Sequence, residues 1–320
     1  MVSCMMCGEN LPAETMYKDQ SNHFVCDNCR SEVILCCVCG NFSPLNSSVI
    51  HESGTYCGYC RSMATAAIWG HGTKPFPQFH GRGLDHLGVE LEIDQGRDRT
   101  ECAQKIKKLN YPLYIESDGS LQNGLEIISH PCTTNYHLKK FPWEKIFHIA
   151  GEYEFKSHEA ETCGLHVHIS RALFGKDREE QSENIGKFLL LFNRGANQRE
   201  IKNFARRTDR QMRWCKFFYI DGSNHATGTD ILNYYWRNGN GSDRYYAVNL
   251  QNRNTVEVRI FRGTLNRKTF YASLQFCREL TEIAKKPFKT VRGLSWGDIR
   301  NTLYNSQYPE LKDYLSTRGI

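Results

Sequence analysis

The sequence contains no apolar run of the roughly 18–20 residues that a membrane-spanning helix needs. Its first residues, from Met1 to Cys4, provide neither the basic region nor the apolar region of a secretory signal peptide. Cysteine is scarce over most of the chain, because only five of the 14 cysteines follow residue 60. These features argue against a membrane-spanning protein and against a secreted scaffold held by disulfides, and we therefore expect a cytoplasmic protein.

Acidic charge is also unevenly spread. Residues 1–60 contain two basic and six acidic residues, so their formal charge is −4. The whole chain carries +6, and the remaining residues therefore carry +10. A basic domain of this size suits an anionic substrate such as a nucleotide and permits contact with nucleic acid.

The other nine cysteines lie within the first 60 residues, where they form an internal repeat. Each half opens with Cys-x-x-Cys-Gly and closes with a second Cys-x-x-Cys pair, with 18 intervening residues in the first half and 17 in the second. Four thiolates per half match a closed, tetrahedral structural zinc site. We predict two Zn²⁺ ions, one bound by Cys4, Cys7, Cys26 and Cys29 and one by Cys36, Cys39, Cys57 and Cys60.

Two alternatives remain for this zinc module. An interleaved pairing of the cysteine pairs is possible, and Cys37 could replace Cys36. The module either substitutes metals for a core that so short a segment cannot build, or docks another protein. Its negative charge favours a protein partner over DNA. We predict a tandem zinc-binding module over 1–62, a linker helix and loop over 63–80, and a catalytic domain over 81–320.

The larger region has the α+β pattern of an antiparallel sheet with helices. Strands are predicted over 87–94, 112–117, 124–130, 163–170, 215–220, 244–251 and 254–262. Helices are predicted over 100–109, 134–150, 181–207 and 267–286, with shorter ones near 296–317.

Three of these strands carry polar side chains two residues apart within apolar runs. The pairs are Glu90 and Glu92, His166 and His168, and Glu257 and Arg259. Because side chains alternate along a strand, both members of each pair point to one side of the sheet. The pairs could line a solvated surface, but three such strands in one sheet would collect carboxylates, imidazoles and a guanidinium, which suits divalent metals beside phosphate.

Further polar residues extend this set. Glu126 lies in an apolar strand that follows a turn at Asp118, and a buried carboxylate without a partner is costly unless a cation accompanies it. Arg262 follows Arg259 at three residues. Arg244 and Asn249 add a second arginine and an amide, and guanidinium groups suit phosphoryl oxygens.

The ordered set of motifs resembles a known superfamily. Gly-x-Glu-x-Glu, Gly-Leu-Glu-Ile, Gly-Leu-His-Val-His-Ile-Ser and Val-Glu-Val-Arg occur in that order over roughly residues 84–285. This order is similar to that of the glutamine synthetase-like carboxylate–amine ligases, and within them to the amidoligase family. The resemblance does not cover the zinc module, and we find no counterpart of the ammonia or glutamate loops of glutamine synthetase.

The resemblance implies a glutamine synthetase-like fold and an ATP-dependent ligase that forms amide bonds through an acyl phosphate. It implies Mg²⁺ or Mn²⁺ ligands at Glu90, Glu92, Asp118, Glu126, His166 and Glu257. It places the ATP phosphates beside His168 and Arg259, with Arg244, Asn249 and Arg262 as further candidate nucleotide contacts. The candidate catalytic residues are Glu90, Glu92, Glu126 and Arg259, while the acid and amine substrates stay undefined.

Two other functions compete with this one. Arg199, Lys202, Arg206, Arg210 and Arg213 would share one face of a predicted helix that aromatic residues follow, which is typical either of a solvated face or of an anionic macromolecular partner. The chain could therefore be a zinc protein that binds nucleic acid or protein and lacks turnover. A metal-dependent hydrolase using His166 and His168 is the third possibility.

Overall fold

The internal contacts of the chain separate it into two compact units. The structure, a computed structural model, describes residues 1–52, 54–239 and 243–320. The first unit comprises Met1–Gln78 with Ile115–Ser117, and the second comprises Phe79–Tyr114 with Asp118–Ile320. Within the described residues, every helix is too short or too polar to cross a bilayer.

Four short antiparallel hairpins build the first unit, two for each half of the cysteine repeat. They pair β1 (Val2–Ser3) with β2 (Asn10–Leu11), β3 (Tyr17–Lys18) with β4 (Phe24–Val25), β5 (Val33–Leu35) with β6 (Phe42–Pro44), and β7 (Val49–His51) with β8 (Gly54–Tyr56). Helix α1 (Ser62–Thr65) follows, and 3₁₀ turns occupy Ala13–Thr15, Asp27–Glu32 and Leu45–Ser47. The buried apolar residues around the first cysteine group are few, among them Met16, Val25 and Val33, as expected for a unit that metals would stabilise.

A seven-stranded sheet is the centre of the second unit. Its strands are β9 (His86–Ile93), β10 (Leu113–Glu116), β11 (Leu125–Ser129), β12 (Cys132–Thr133), β13 (Gly164–Ser170), β14 (Val248–Asn249) and β15 (Thr255–Arg262). The order is β10-β11-β9-β13-β15-β14, and β12 also pairs with β9. The ladders that join β9, β11, β12, β13, β14 and β15 are antiparallel, so the predicted antiparallel sheet is confirmed.

Helices of the second unit pack against the apolar face of this sheet. The helices of the unit are α2 (Arg99–Lys107), α3 (Thr134–Lys139), α4 (Trp143–Glu152), α5 (Arg178–Asn193), α6 (Gly195–Ala205), α7 (Gly228–Asn238), α8 (Arg267–Ala284), α9 (Phe288–Gly293), α10 (Trp296–Tyr304) and α11 (Pro309–Arg318). Phe261 of β15 packs against Phe204 of α6 and Phe276 of α8, with ring centroids 6.2 and 6.1 Å away. The valines, leucines and isoleucines that alternate with the polar pairs are fully buried. One sheet face is therefore core, and the polar pairs project from the other face.

A β-bulge interrupts β15 beside β13. Leu165 pairs with Phe261 and Val167 pairs with Val258, so a step of two residues along β13 corresponds to a step of three along β15. The extra residue shifts the alternation by one position. Arg262, opposite Gly164, therefore returns to the face that carries Arg259, although a regular strand would place these two arginines on opposite faces.

Several predicted elements differ from the structure. Residues 215–220 form no strand, apart from an isolated bridge between Lys216 and Tyr246. The strand predicted over 244–251 shrinks to β14, its first part being only that bridge, and Pro142 precedes α4 and divides the helix predicted over 134–150. Helices α7 and α9 and strand β12 were not predicted.

The predicted basic helical face is wrong. Helix α6 ends at Ala205, because Arg206 adopts a left-handed conformation with φ of 61°. Arg206 then turns to His158 and to backbone carbonyls, while Lys202 pairs with Asp209. The five basic residues therefore do not share one helix.

Candidate functional site

The polar pairs predicted from the sequence lie on one face of the sheet. In the antiparallel register, Glu90 of β9 is opposite His166 of β13, and His168 of β13 is opposite Glu257 of β15. Residues opposite each other in a ladder project to the same face, as do alternate residues of one strand. The prediction that the three pairs share one sheet face is therefore confirmed.

The same face extends to the strands on either side. Glu126 of β11 is opposite Glu92 of β9, and Asn249 of β14 is opposite Glu257. Five neighbouring strands thus contribute polar side chains to one surface. All of these side chains are largely buried, and Glu92, Glu126 and Glu257 are between 5% and 7% exposed.

Two groups of potential metal ligands form here and share Glu90. One group contains Glu126 and His166, the other His168 and Glu257, and in each group the ligand atoms lie within 4.8 Å of one another. Glu90 contacts both rings, since its Oε2 lies 3.2 Å from Nδ1 of His166 and its Oε1 lies 2.9 Å from Nε2 of His168. A shared carboxylate between two ligand groups is an arrangement that can hold two cations side by side.

The central carboxylates are held in their charged form. Burial by itself raises the pKa of Glu90, but attraction to His168 and hydrogen bonds with both histidines hold that pKa well below its usual range. Burial also opposes ionisation of Glu257, whose pKa is nevertheless lowered by His168 and Arg259. Arg259 donates from Nη1 to Glu257, which outweighs the effect of burial and raises the pKa of Arg259. The carboxylates are therefore acceptors only, as cation binding requires.

Gly164 leaves space within this site that a side chain would fill. A Cβ atom here would lie 2.8 Å from Nε2 of His166, 3.2 Å from Nη2 of Arg207 and 3.4 Å from Oε2 of Glu92. The backbone N–H of Gly164 donates to Oε2 of Glu92, which fixes that carboxylate at the edge of the two ligand groups. Three functional groups therefore converge on a point that a larger residue would fill.

Two neighbouring side chains orient the ligands. Asn249 donates from Nδ2 to Oε2 of Glu257 at 2.8 Å, and Oγ1 of Thr255 lies 3.2 Å from Nδ1 of His168. A partner on one ring nitrogen directs the other nitrogen toward a ligand position. Thr255 was missed, although it precedes Glu257 by two residues and so shares its face.

Arg207 was missed too, and no local pattern marks it. Its guanidinium is buried and donates to the carbonyl oxygens of Ile260 and Phe261 at 2.9 and 2.8 Å, at the bulge of β15. These bonds hold the bulge in place. Only the folded chain brings residue 207 beside residues 260 and 261, so its role could not be read from spacing.

Asp118, Arg262 and Arg244 complete the set of predicted residues. Asp118 accepts from the backbone of Ser120 at 2.6 Å, and one of its carboxylate oxygens lies within 4.8 Å of a Glu126 oxygen. Arg262 donates from Nη2 to the carbonyl of His158 at 2.6 Å. Arg244 is exposed and stacks on Tyr245, with 5.3 Å from its guanidinium carbon to the ring centroid.

The donor set fits hard divalent cations. Carboxylate oxygens are the ligands that Mg²⁺ prefers, and imidazole nitrogens extend the choice to Mn²⁺. The Nε groups of Arg259 and Arg262 are buried and, within the part of the chain that the structure describes, have no hydrogen-bond partner. Buried donors without a partner next to a candidate cation site are suited to an anion that accompanies the cation.

The cysteines of the first unit gather into two groups of four. One group joins Cys4, Cys7, Cys26 and Cys29, and the other joins Cys36, Cys39, Cys57 and Cys60. The grouping follows the tandem arrangement and uses Cys36 in preference to Cys37. Either group could hold a metal ion such as Zn²⁺.

The loops that follow Cys4 and Cys36 favour the thiolate form of these two residues. Gly8 and Gly40 adopt left-handed φ values of 76° and 68°, and their N–H groups close turns on the carbonyls of Cys4 and Cys36. Burial raises the pKa of Cys4, but hydrogen bonds from the backbone of Cys26 and of the following residues lower it to about 6.

Comparison with protein families decides the classification. Residues 93–281, more than half of the chain, match the family described as "putative amidoligase enzyme". The chain belongs to this amidoligase family. No curated protein matches it.

The matched segment overlaps the candidate site. Glu126, His166, Glu257 and Arg259 lie inside the matched segment, which begins directly after Glu92. Both cysteine groups precede it. Membership of this family suggests that the protein is a ligase, which agrees with the ligase expected from the sequence.

Proposed function

We propose that the protein is an ATP-dependent carboxylate–amine ligase that acts through an acyl phosphate on a glutamine synthetase-like sheet. One observation carries the proposal: two carboxylate–imidazole groups share Glu90 on a sheet face that also presents Arg259. The family match supports the reaction class. Charged carboxylates are collected and desolvated here at a cost in folding free energy, which favours a site that binds cations.

In this proposal, Glu90, Glu126 and His166 would hold one Mg²⁺ or Mn²⁺ ion, and Glu90, His168 and Glu257 would hold the other. Glu92 and Asp118 flank these residues and would bind the ions directly or through water. When bound, such ions neutralise charge on the phosphoryl oxygens of ATP. The second group extends the ligand set expected from the sequence to His168, which would then serve both cation and nucleotide phosphates.

The reaction has two steps. An oxygen of the acid substrate attacks the γ-phosphorus of ATP, the bond to the β-phosphate oxygen breaks, and ADP leaves. The amine nitrogen then attacks the acyl carbon, phosphate departs with the bonding electron pair, and the amine releases a proton as the amide forms. The protein contributes positioning and fixed charge, which dominate phosphoryl transfer.

The arginines would contact the transferring phosphoryl group. Arg259 is held by Glu257 through Nη1, which leaves its buried Nε–H available to an anion. Arg262 reaches the same face through the bulge and offers a second buried Nε–H. Arg244 and Asn249 are proposed at the nucleotide edge of the site, Asn249 acting through Glu257.

Two structural Zn²⁺ ions are proposed for the cysteine groups, in the tandem pairing. With four protein ligands each, they leave no open position for catalysis. The first unit would then be a docking or folding module, and the acid and amine would be bound by the second unit.

The test is ADP release by the purified full chain with ATP, Mg²⁺ or Mn²⁺, and pools of carboxylic acids and amines. Hydroxylamine serves as a general nucleophile, because it converts acyl phosphates to hydroxamates. We expect acid-dependent ADP release and hydroxamate formation, both lost in E90Q and E257Q. Glu179→Gln, an exposed glutamate in the first turn of α5, is the matched control and should retain full activity.

Two results would overturn the proposal. Wild-type protein that shows no ATP binding by calorimetry, with either metal present, would favour the non-catalytic alternative. Metal-dependent hydrolysis in the absence of ATP, lost in H166Q and H168Q, would favour the hydrolase.

A further inference from the structure

One exposed and one half-buried aromatic ring lie among arginines beside the edge strand of the sheet. Trp214 is 47% exposed, and its ring meets that of Tyr245 edge to face, with centroids 5.2 Å apart. Arg213 stacks on Trp214 at 5.0 Å, and Arg244 stacks on Tyr245 at 5.3 Å. We call Arg210, Arg213, Trp214, Arg244 and Tyr245 the aromatic–basic surface.

This surface joins two segments that are distant in sequence. The N–H of Lys216 donates to the carbonyl of Tyr245, and the N–H of Ala247 donates to the carbonyl of Lys216, each at 2.8 Å. The N–H of Arg259 in turn donates to Ala247 at 2.9 Å. The backbone therefore connects the surface directly to β15 and the candidate site.

The surface carries exposed positive charge. Lys216 pairs with Asp243, but across the described residues Arg210, Arg213 and Arg244 form no ion pair with a carboxylate. All three are exposed. A large exposed aromatic ring with unbalanced arginines is complementary to a partner that has flat rings and a regular negative charge.

We propose that the aromatic–basic surface binds single-stranded nucleic acid. Bases would stack on Trp214 and Tyr245, while phosphates would pair with Arg210, Arg213 and Arg244. Base–aromatic stacking needs unpaired bases, whereas an arginine cluster alone would accept a duplex or an acidic polypeptide. This inference does not depend on the ligase reaction.

Binding is measured by fluorescence anisotropy of fluorescein-labelled dT20 with the full chain, without ATP. We expect W214L to weaken binding at least fivefold, since leucine keeps an apolar side chain but cannot stack. We expect R213A/R244A to reduce the slope of log K against log salt by about 1.4, which corresponds to two lost phosphate contacts on a single strand.

Arg292→Ala is the matched control, because Arg292 also is exposed and stacks on an aromatic ring, Phe288 at 5.8 Å, but in α9. Its affinity for dT20 should equal that of the wild type. Since Trp214, Arg213 and Arg244 are exposed, their variants should keep the wild-type circular dichroism spectrum, and labelled rU20 should reproduce their ranking.

Three outcomes would overturn the proposal. The first is no binding of dT20 or rU20 at 50 µM protein in low salt. The second is equal affinity for a 20-base-pair duplex or for poly-glutamate, which would indicate charge recognition of another partner. The third is equal binding by W214L, R213A/R244A and the wild type.

Discussion

At the scale of single residues, the site depends as much on what is missing as on what is present. Gly164 leaves open the point where His166, Arg207 and Glu92 converge, and its N–H holds Glu92. Its backbone conformation is open to other residues, since its φ is not positive. Position 164 therefore requires glycine because a side chain would occupy the space between His166, Arg207 and Glu92, which is part of the site.

Alanine at this position should separate folding from metal binding. In G164A the new Cβ would displace His166 and Glu92, and we expect Mn²⁺ affinity to fall at least tenfold with a loss in stability of about 1 kcal/mol. Calorimetric titration with Mn²⁺ and urea unfolding measure the two effects. Gly151→Ala, in α4 with no atom within 4 Å, is the control, and unchanged Mn²⁺ affinity in G164A would contradict the prediction.

His137 makes the second residue-scale prediction, which concerns pH. The ring is fully buried, Nε2 contacts the carbonyl of Leu87 at 2.9 Å, and Nδ1 accepts from Nε1 of Trp143 at 3.3 Å. Burial lowers the pKa of His137 to about 4, and His86 adds to the effect. Between about pH 4 and 6.5, His137 therefore binds a proton in the unfolded chain but stays neutral in the folded chain.

The stability that this ring contributes is fully present above about pH 6.5 and is lost as the pH falls toward 4. We expect His137 to account for a loss of about 2 kcal/mol between pH 7.5 and 5. The H137Q variant should be less stable at pH 7.5 but should lose correspondingly less over that interval in urea unfolding. Other histidines titrate in both proteins and cancel, so equal losses would refute the assignment.

At the scale of elements, helix α7 is held against α5 by an unusually close glycine contact. A Cβ on Gly186 would lie 1.7 Å from the carbonyl oxygen of Gly228, the first residue of α7. Thr227 and Asp230 form a capping box there, and the N–H of Thr229 donates to Glu183 of α5 at 2.9 Å. Two helices that cross this closely tolerate no side chain between their backbones.

Alanine at position 186 should therefore push α5 and α7 apart. We expect G186A to lose about 3 kcal/mol of stability, at the upper end for an overpacked core. The measurement is the urea midpoint of the full chain. Gly297→Ala in α10, where a Cβ makes an ordinary contact of 3.5 Å, should be neutral, and equal stability of both variants would disprove the close crossing.

Elements with period-two apolar alternation could be predicted, because their signal is local. The strands β9, β11, β13 and β15 lie within two residues of their predicted bounds. The aromatic residues within 215–220 led to the wrong prediction of a strand, since aromatic residues favour strands only where a partner strand completes the ladder. The Thr-x-x-Asp capping pattern at residues 227–230 marks the start of helix α7 and would have predicted it.

The candidate site could be predicted in part for the same reason. Its paired side chains follow alternation within single strands, and the zinc groups follow a local repeat. Arg207, the bulge of β15 and the convergence at Gly164 depend on contacts between distant segments. No spacing in the sequence encodes those contacts.

At the scale of the whole molecule, the two units have separate bases of stability. The first has few buried apolar residues around its cysteine groups, whereas the second encloses a large core between its sheet and helices. Metal removal should therefore affect the two units differently.

We expect the full chain to retain two Zn²⁺ ions after dialysis against Mg²⁺, as measured by mass spectrometry of its metal content. C29S and C60S should each retain one, because each removes a ligand of one group. In calorimetric unfolding, chelation should abolish the transition of the first unit and leave that of the second. E90Q should retain both ions, and loss of zinc from E90Q would instead place zinc at the sheet.

The bulge in β15 has a consequence for how such sites are written as patterns. Glu257, Arg259 and Arg262 share one face although their intervals are two and then three. Before the inserted residue, the odd-numbered side chains of β15 project to the site face. After it, the even-numbered side chains project to that face. A motif search that insists on strict alternation would stop at Arg259 and overlook Arg262. The spacing Glu-x-Arg-x-x-Arg therefore records the chemistry and the irregular backbone together.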